Sequence, residues 1–210
     1  MDFDQAIRRH RAVVVLRAAR YSDPRRVVET LVEAGLPVVE FTLTGENALV
    51  SVEQATRVPG ALVGAGSVLN TSAARRCVDA GAAFLVSPVA AVEVAAMKPG
   101  IAVVLAGFTP TEILTAWNAT RHAVKLFPAS TGGPDHLRAI AAPLPEVPLM
   151  PSGGVGPGNV GDYLAAGAVA INVGSAVAPS QTLEAGDTDD LRRRARNLRA
   201  VLDDSSPQST

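Results

Sequence analysis

Short runs rich in Val, Ile and Leu recur along the chain, and a segment with the pattern of a helix follows each of them. These runs begin near Ala12, Val38, Ala61, Phe84, Ala102, Ala123, Pro148 and Ala170. Their spacing of roughly 18 to 26 residues predicts eight strand–helix units. The runs do not alternate strictly between apolar and polar residues, which is typical of parallel strands covered on both faces. The pattern therefore predicts an α/β fold.

Residues that favour helix ends agree with these units. Asp23 and Pro24 are expected to open the helix after the first strand, and Asn70 to cap the helix after the third. An extra amphipathic helix over residues 1–9 is expected to plug one end of the fold, and the Arg-rich stretch 191–202 suits an outer closing helix.

Two architectures accommodate eight such units, a closed (β/α)8 TIM barrel and a doubly wound open sheet. The barrel is preferred because no Gly-x-Gly-x-x-Gly follows the first strand and the glycine-rich loops come late in the chain. We expect one barrel domain over residues 1–202, with an extra N-terminal helix. A tail over residues 203–210 has nothing to bury and is expected to be disordered.

Composition narrows the class of protein. The chain has 210 residues, 48% of them hydrophobic, which suits one sizeable core. Its 19 Lys and Arg against 20 Asp and Glu give no basic excess for nucleic acid, and no apolar run approaches the ~20 residues that span a bilayer. The single cysteine, Cys77, forms no internal disulfide and is expected on the inner face of a helix, which fits a cytoplasmic location.

Lysine is scarce in this chain, since all but two of its cationic side chains are arginines. Lys98 precedes Pro99-Gly100 in an expected loop, whereas Lys125 interrupts an apolar strand, where an ammonium group is poorly hydrated. Burial favours the neutral amine, which attacks a ketone to form a Schiff base, a role that arginine cannot fill. Lys125 is therefore the candidate nucleophile. A buried ion pair with a carboxylate is the alternative.

Glu40 is a second ionisable residue within an apolar strand. Inside a barrel it is expected to face Lys125. A carboxylate near a Schiff base can transfer protons between water, the carbinolamine and the substrate hydroxyl if partial burial raises its pKa. A structural ion pair with Lys125 or Arg17 is the alternative.

Small residues follow the seventh and eighth strands, where barrels often bind phosphate. Backbone amides around Ser152, Gly153 and Gly154, and around Gly174 and Ser175, can approach an anion, although such loops are also ordinary turns.

Two further side chains are expected at strand ends. Ser67 follows the third strand, and Arg17 follows the first, where its guanidinium suits a substrate carboxylate. Alternatively, Ser67 is an ordinary turn residue and Arg17 is a charge partner for Glu40. His10, His122 and His136 form no metal-binding arrangement, so neither a metal nor a cofactor is expected.

Four segments together resemble the aldolases of 2-keto-3-deoxy-6-phosphogluconate (KDPG) and 4-hydroxy-2-oxoglutarate (KHG), and the similar phosphogalactonate aldolases. The segments are residues 39–43 (VEFTL), 64–69 (GAGSVL), 125–129 (KLFPA) and 151–155 (PSGGV). The resemblance implies that Lys125 forms the Schiff base, that Glu40 transfers protons, and that Ser67 and Ser152 stand where relatives often carry threonine. It also implies a homotrimer.

The resemblance implies cleavage of KDPG to pyruvate and glyceraldehyde 3-phosphate, without a cofactor. Many relatives carry an arginine where this chain has Thr44, and the phosphogalactonate-like members lack it too, so the phosphogalactonate and KHG substrates stay open. Outside the family, the alternatives are a phosphate-binding barrel isomerase that forms no covalent intermediate and a catalytically silent sugar-acid-binding protein.

Overall fold

The computed structural model describes residues 2–205. Among these residues, strand segments alternate with helices after an N-terminal helix. The strands are β1 (Ala12–Leu16), β2 (Val38–Thr42), β3 (Leu62–Gly66), β4 (Phe84–Val86), β5 (Ala102–Val104), β6 (Ala106–Gly107), β7 (Val124–Leu126), β8 (Leu149–Pro151) and β9 (Ile171–Val173). The helices are α1 (Phe3–His10), α2 (Pro24–Glu33), α3 (Ala48–Ala55), α4 (Thr71–Asp79), α5 (Val92–Ala96), α6 (Pro110–Thr120), α7 (Gly133–Ala141), α8 (Val160–Ala165), α9 (Ser180–Ala185) and α10 (Thr188–Asp204).

The strands form two parallel sheets. One has six strands in the order β5-β4-β3-β2-β1-β9, and the other has three in the order β6-β7-β8. Leu105 alone separates β5 from β6, and a parallel bridge between Ser152 and Asn172 lies just past the end of β8 and within β9. The predicted α/β fold with parallel strands is confirmed. Each predicted strand start lies within one residue of an observed one, but the fifth predicted strand is divided at Leu105.

The predicted helix caps are present. The Asp23 carboxylate accepts a hydrogen bond from the Arg26 amide at 2.9 Å, with Pro24 in the first turn of α2. The Asn70 side chain accepts one from the Ala73 amide at 2.9 Å. These side chains satisfy amide groups that have no partner within the helix, which is why the helices begin where the sequence indicates.

Helix α1 packs against the amino ends of the strands, as expected for a plug. Phe3, Ala6 and Ile7 are buried in an apolar cluster with inward-facing strand residues, and the rings of Phe3 and Phe84 lie 4.6 Å apart between centroids. In the first turn of the same helix, Asp4 Oδ2 lies 2.7 Å from Nδ1 of His122, which lies just before β7. The helix is thus tied to the fold by both apolar and polar contacts.

A second, larger apolar cluster lies between the strands and the outer helices and extends in sequence from Ala12 to Leu202. Cys77 is buried in it on the inner face of α4, as predicted, and burial raises the pKa of its thiol to about 11. No helix within residues 2–205 is long and apolar enough to span a membrane.

The end of the closing helix differs from the expectation. Helix α10 continues to Asp204, so residues 203 and 204 are helical and do not belong to a disordered tail. The helix is extended because Arg199 pairs with Asp203 at 2.8 Å and because both the amide and the hydroxyl of Ser205 donate to the Val201 carbonyl. Residues 206–210 lie outside the described residues.

Candidate active site

A cavity of about 1000 Å³ opens at the carboxyl ends of the strands. Every site residue predicted from the sequence, except Glu40 and Ser67, lines it. These lining residues are Arg17, Lys125, Ser152, Gly153, Gly154, Gly174 and Ser175. They come from the ends of β1, β7, β8 and β9, so the fold gathers segments that are far apart in sequence. This is the end of a parallel α/β fold at which ligands usually bind.

Lys125 lies in the middle of β7 and is 5% exposed. Its Nζ atom reaches the cavity and lies 3.9 Å from Glu40 Oε1 and 5.4 Å from the centroid of the Phe127 ring. The apolar strand therefore buries the aliphatic part of the side chain and presents the amine to the cavity. Lys98, in contrast, is exposed in the loop after α5.

Glu40 lies behind Lys125 on β2 and is 1% exposed. Burial raises the pKa of its carboxyl group, while the positive charges of Lys125 and, to a smaller extent, Arg17 oppose that rise. Its Oε2 atom is buried without a hydrogen-bond partner among the described residues. The carboxyl group is therefore held next to the amine in a setting that favours its protonated form. The expected pairing of Glu40 with Lys125 is present.

Strand β3 makes room for this carboxyl group. A Cβ atom at Gly66 would lie 2.7 Å from Glu40 Oε1, and one at Gly64 would lie 2.5 Å from the Phe84 ring. Both positions therefore need glycine because a neighbouring side chain fills the space. The Gly-Ala-Gly sequence of β3 thus reflects packing inside the fold rather than a flexible turn.

Ser67 is not brought into the cavity. It follows Gly66 with a φ of +61°, in the left-handed region, and its side chain is not among those that line the cavity. The backbone turns at this point as β3 ends. A substrate contact for Ser67 stays a prediction.

The loop after β8 is held in one conformation by hydrogen bonds. Gly153 and Gly154 both have positive φ, and a Cβ atom at Gly154 would lie 2.6 Å from Ser130 Cβ. Asn159 donates a hydrogen bond to the Gly154 carbonyl at 2.9 Å and accepts one from the Gly156 amide at 3.0 Å. Successive glycines in such conformations can turn amide groups towards an anion.

Several cavity residues were missed by the sequence analysis. Thr44 shares a hydrogen bond with Thr42 at 2.8 Å between the hydroxyl oxygens, and Glu184 on α9 accepts one from the Ala19 amide at 3.0 Å. Glu184 lies on an outer helix, and no local pattern marks it. Thr44 lies two residues past the end of β2 and was noted only as the position where many relatives carry arginine. Asn172 is different, because it is a polar residue within the apolar strand β9, the same signal that identified Lys125 and Glu40.

No three His, Cys, Asp or Glu side chains of residues 2–205 come together in a way that could hold a metal ion. This region offers an amine that lines the cavity, a carboxyl group directly behind it, and glycine-rich loops at the cavity rim. This arrangement can bind a ketone covalently, move protons beside it, and hold an anion at the far end.

Known proteins share both the sequence and the fold. The model of the family described as KDPG and KHG aldolase matches residues 3–194. A KHG/KDPG aldolase of Escherichia coli is 36% identical over 188 residues, which are 88% of this chain and 87% of that protein. A probable 2-dehydro-3-deoxy-6-phosphogalactonate aldolase of Rhizobium meliloti is 35% identical over 197 residues, 91% of each chain.

Solved structures agree. The KDPG aldolase of Legionella pneumophila, crystallised with pyruvate captured as a covalent carbinolamine intermediate, matches with a TM-score of 0.84 and 25% identity. The match covers 92% of this chain and 96% of that one. The chain therefore belongs to the KDPG and KHG aldolase family, and it is an aldolase, an enzyme that cleaves carbon–carbon bonds.

Proposed function

We propose that this aldolase cleaves KDPG to pyruvate and glyceraldehyde 3-phosphate through a Schiff base on Lys125. The observation that carries the proposal is the buried pair of Lys125 and Glu40, 3.9 Å apart, of which Lys125 lines a cavity rimmed by glycine-rich loops. The names of the relatives support this substrate class.

The first half of the reaction forms the Schiff base. Neutral Lys125 attacks the C2 ketone, and Glu40 assists the loss of water from the carbinolamine to give the iminium. The burial of Glu40 supports this step, since it raises the pKa of the carboxyl group and so makes the group a better proton donor to the leaving water and, once ionised, a stronger base.

Cleavage follows from the iminium, which accepts the electron pair of the C3–C4 bond. Glu40, directly or through water, removes the proton of the C4 hydroxyl as that bond breaks and the C4 carbonyl forms. Glyceraldehyde 3-phosphate leaves, and the remaining enamine is protonated at C3 and hydrolysed to release pyruvate and free Lys125.

The rest of the cavity would bind and orient the substrate. We assign the phosphate to the backbone around Gly153, Gly154, Gly174 and Ser175, and the substrate carboxylate to Arg17 at the cavity mouth. Ser152 would contact the substrate between them. Ser67, which does not line the cavity, stays a predicted substrate contact at the end of β3. Phosphate binding far from C2 orients the C3–C4 bond for cleavage.

We further propose that the strands form one closed (β/α)8 barrel in a single domain. Counting β5 and β6 as two halves of one strand around Leu105 gives eight strands, and the bridge between Ser152 and Asn172 lies between the two sheets. The apolar cluster that extends from Ala12 to Leu202 supports a single domain.

The homotrimer implied by the sequence is also proposed here. Leu69, Val89 and Val92 are 53%, 50% and 42% exposed, and they follow the neighbouring strands β3 and β4. We expect light scattering to give about 65 kDa, three times the 21.6 kDa of the chain. A charged residue among these exposed apolar side chains, as in Leu69→Glu, is expected to lower the mass measured by light scattering. A wild-type monomer at all concentrations would contradict the trimer.

A cytoplasmic location stays a prediction.

The alternative within the family is cleavage of the phosphogalactonate epimer. The Rhizobium meliloti relative carries that name, and Thr44, which lines the cavity, stands where many KDPG aldolases carry arginine. Cleavage of KHG, which lacks the phosphate, is the other alternative. Turnover of the three substrates under the same conditions ranks them directly.

The test of the covalent mechanism is intact-mass spectrometry after incubation with pyruvate and sodium borohydride. We expect a gain of about 72 Da, the mass of a reduced pyruvate imine, in the peptide that contains Lys125. Protein treated with borohydride alone is the control. If folded protein gains no mass, a barrel isomerase or binding protein without a covalent step becomes the better description.

A further inference from the structure

Asn172 is a buried polar side chain for which the catalytic steps above have no use. It lies in the middle of β9, is 1% exposed, and lines the same cavity as Lys125. Both its Nδ2 and its Oδ1 atoms are buried without a hydrogen-bond partner among residues 2–205. Buried amide groups are almost always paired, so an amide unpaired at both ends points to a ligand.

Packing gives no other reason for an amide at this position. Met150 of the neighbouring strand β8 and Ala170, two residues before Asn172 along the same segment, belong to the inner apolar cluster. The flanking residues Ile171 and Val173 are fully buried on the helix side. A leucine has the same number and branching of side-chain heavy atoms as asparagine, and it would lose no hydrogen bond. The polar side chain is therefore costly unless something in the cavity pairs with it.

The ligand must both accept and donate hydrogen bonds. A carboxylate, a phosphate or a ketone only accepts, so it would pair with Nδ2 and leave Oδ1 unsatisfied. An ammonium group only donates and would leave Nδ2 unsatisfied. Two adjacent hydroxyl groups satisfy both atoms, because one accepts from Nδ2 while the other donates to Oδ1.

The position of Asn172 in the cavity suits such a pair of hydroxyls. Gly174 lies just past the end of β9, about 6–7 Å beyond Asn172 along the chain, since extended residues rise about 3.3 Å each. The amide therefore lies deeper than the backbone assigned to the phosphate, in the same cavity as the amine of Lys125. A substrate that spans from C2 at Lys125 to a phosphate on C6 brings its C4 and C5 hydroxyls into this part of the cavity.

We propose that Asn172 binds the adjacent C4 and C5 hydroxyls of the six-carbon sugar acid, and so favours substrates that carry both over keto acids that carry one or none. The inference rests on the proposed aldolase reaction and specifies which part of the substrate this side chain recognises. Asn172 is a specificity-determining residue in this view and takes no part in proton transfer.

The test compares Asn172→Leu with the wild type on three compounds. With KDPG, which has both hydroxyls, kcat/KM is expected to fall roughly 10- to 100-fold, as for the loss of two hydrogen bonds. With 4-hydroxy-2-oxoglutarate, which has a single hydroxyl and no C5 hydroxyl, we expect a smaller loss. The rate of borohydride trapping with pyruvate, which has no hydroxyl, is expected to stay unchanged.

Each outcome separates this inference from the proposed function. If wild-type protein forms no pyruvate adduct, the Schiff-base proposal fails. If the wild type forms the pyruvate adduct, the Schiff-base chemistry stands. The role proposed for Asn172 is then wrong if Asn172→Leu lowers the rate by the same factor with all three compounds, or if it lowers the rate with none of them. Unchanged pyruvate trapping in the variant also demonstrates that its active site is folded.

Discussion

Replacement of Lys125 by arginine is expected to abolish cleavage, with kcat falling by roughly 10⁴-fold or more. The guanidinium group keeps the positive charge beside Glu40 but never deprotonates, so it cannot attack the C2 ketone. Lys125→Met, which keeps the apolar stem without the charge, is expected to lose activity to the same degree. The measurement is pyruvate release in a coupled assay, together with the absence of a borohydride adduct.

The chain offers a matched control for this substitution. Lys98 is the other lysine, it is exposed in the loop after α5, and it lies outside the cavity lining. Lys98→Arg is expected to retain wild-type turnover and to form the pyruvate adduct on Lys125. Wild-type turnover by Lys125→Arg, with its circular dichroism unchanged, would contradict the Schiff-base mechanism.

Replacement of Glu40 by glutamine is expected to lower kcat by about 10² to 10⁴-fold, the usual contribution of one positioned acid or base. Glutamine has the same shape, so it fits the space beside Gly66 and leaves the apolar surroundings intact. Pyruvate trapping is expected to slow but to continue, because Lys125 remains. A variant with normal kcat would leave Glu40 as a structural partner of the lysine.

The pH dependence of kcat gives this prediction a second readout. Burial raises the pKa of Glu40, so its ionised form, the proposed base for the C4 hydroxyl proton, appears only at a pH above the usual range of a glutamate. The acid limb of the profile is therefore expected above that range in the wild type, and to be absent in Glu40→Gln. An acid limb that is unchanged in the variant would assign it to another group.

The raised pKa of Glu40 also makes the free energy of unfolding depend on pH. The native state holds the Glu40 proton more tightly than the unfolded chain does, since its pKa is raised. The contribution of Glu40 to the free energy of unfolding therefore falls as the pH rises from the unfolded pKa through the folded one. Urea denaturation of Glu40→Gln is expected to lack this decrease.

Much of the fold could be predicted because parallel strands covered on both faces leave short apolar runs at regular spacing. The division at Leu105 was not predictable, since the run of residues 102–105 is continuous in the sequence and the break lies in the strand pairing. The end of α10 was missed because the pairing of Arg199 with Asp203 depends on the helix already being formed.

The candidate site was found where a polar residue interrupts an apolar strand, as Lys125 and Glu40 do. Asn172 has the same signal but was passed over, because it does not ionise and suggests no reaction by itself. Thr44 and Glu184 enter the cavity from segments whose positions depend on the whole fold. Ser67 was expected at the cavity from its place after β3, but the backbone turns there.

Helix α1 contributes no residue to the proposed reaction, yet a continuous series of contacts joins it to Glu40, the proposed proton-transferring residue. Phe3 packs on Phe84, Phe84 fills the space beside Gly64, and Gly64 pairs with Glu40 in the register of β3 and β2. Because protein interiors are close-packed, a shift at one end of such a series is transmitted to the other. The first turn of α1 therefore helps to hold the proposed catalytic pair in position, and we expect an affinity tag at the carboxyl end of the chain to disturb this pair less than one at the amino end.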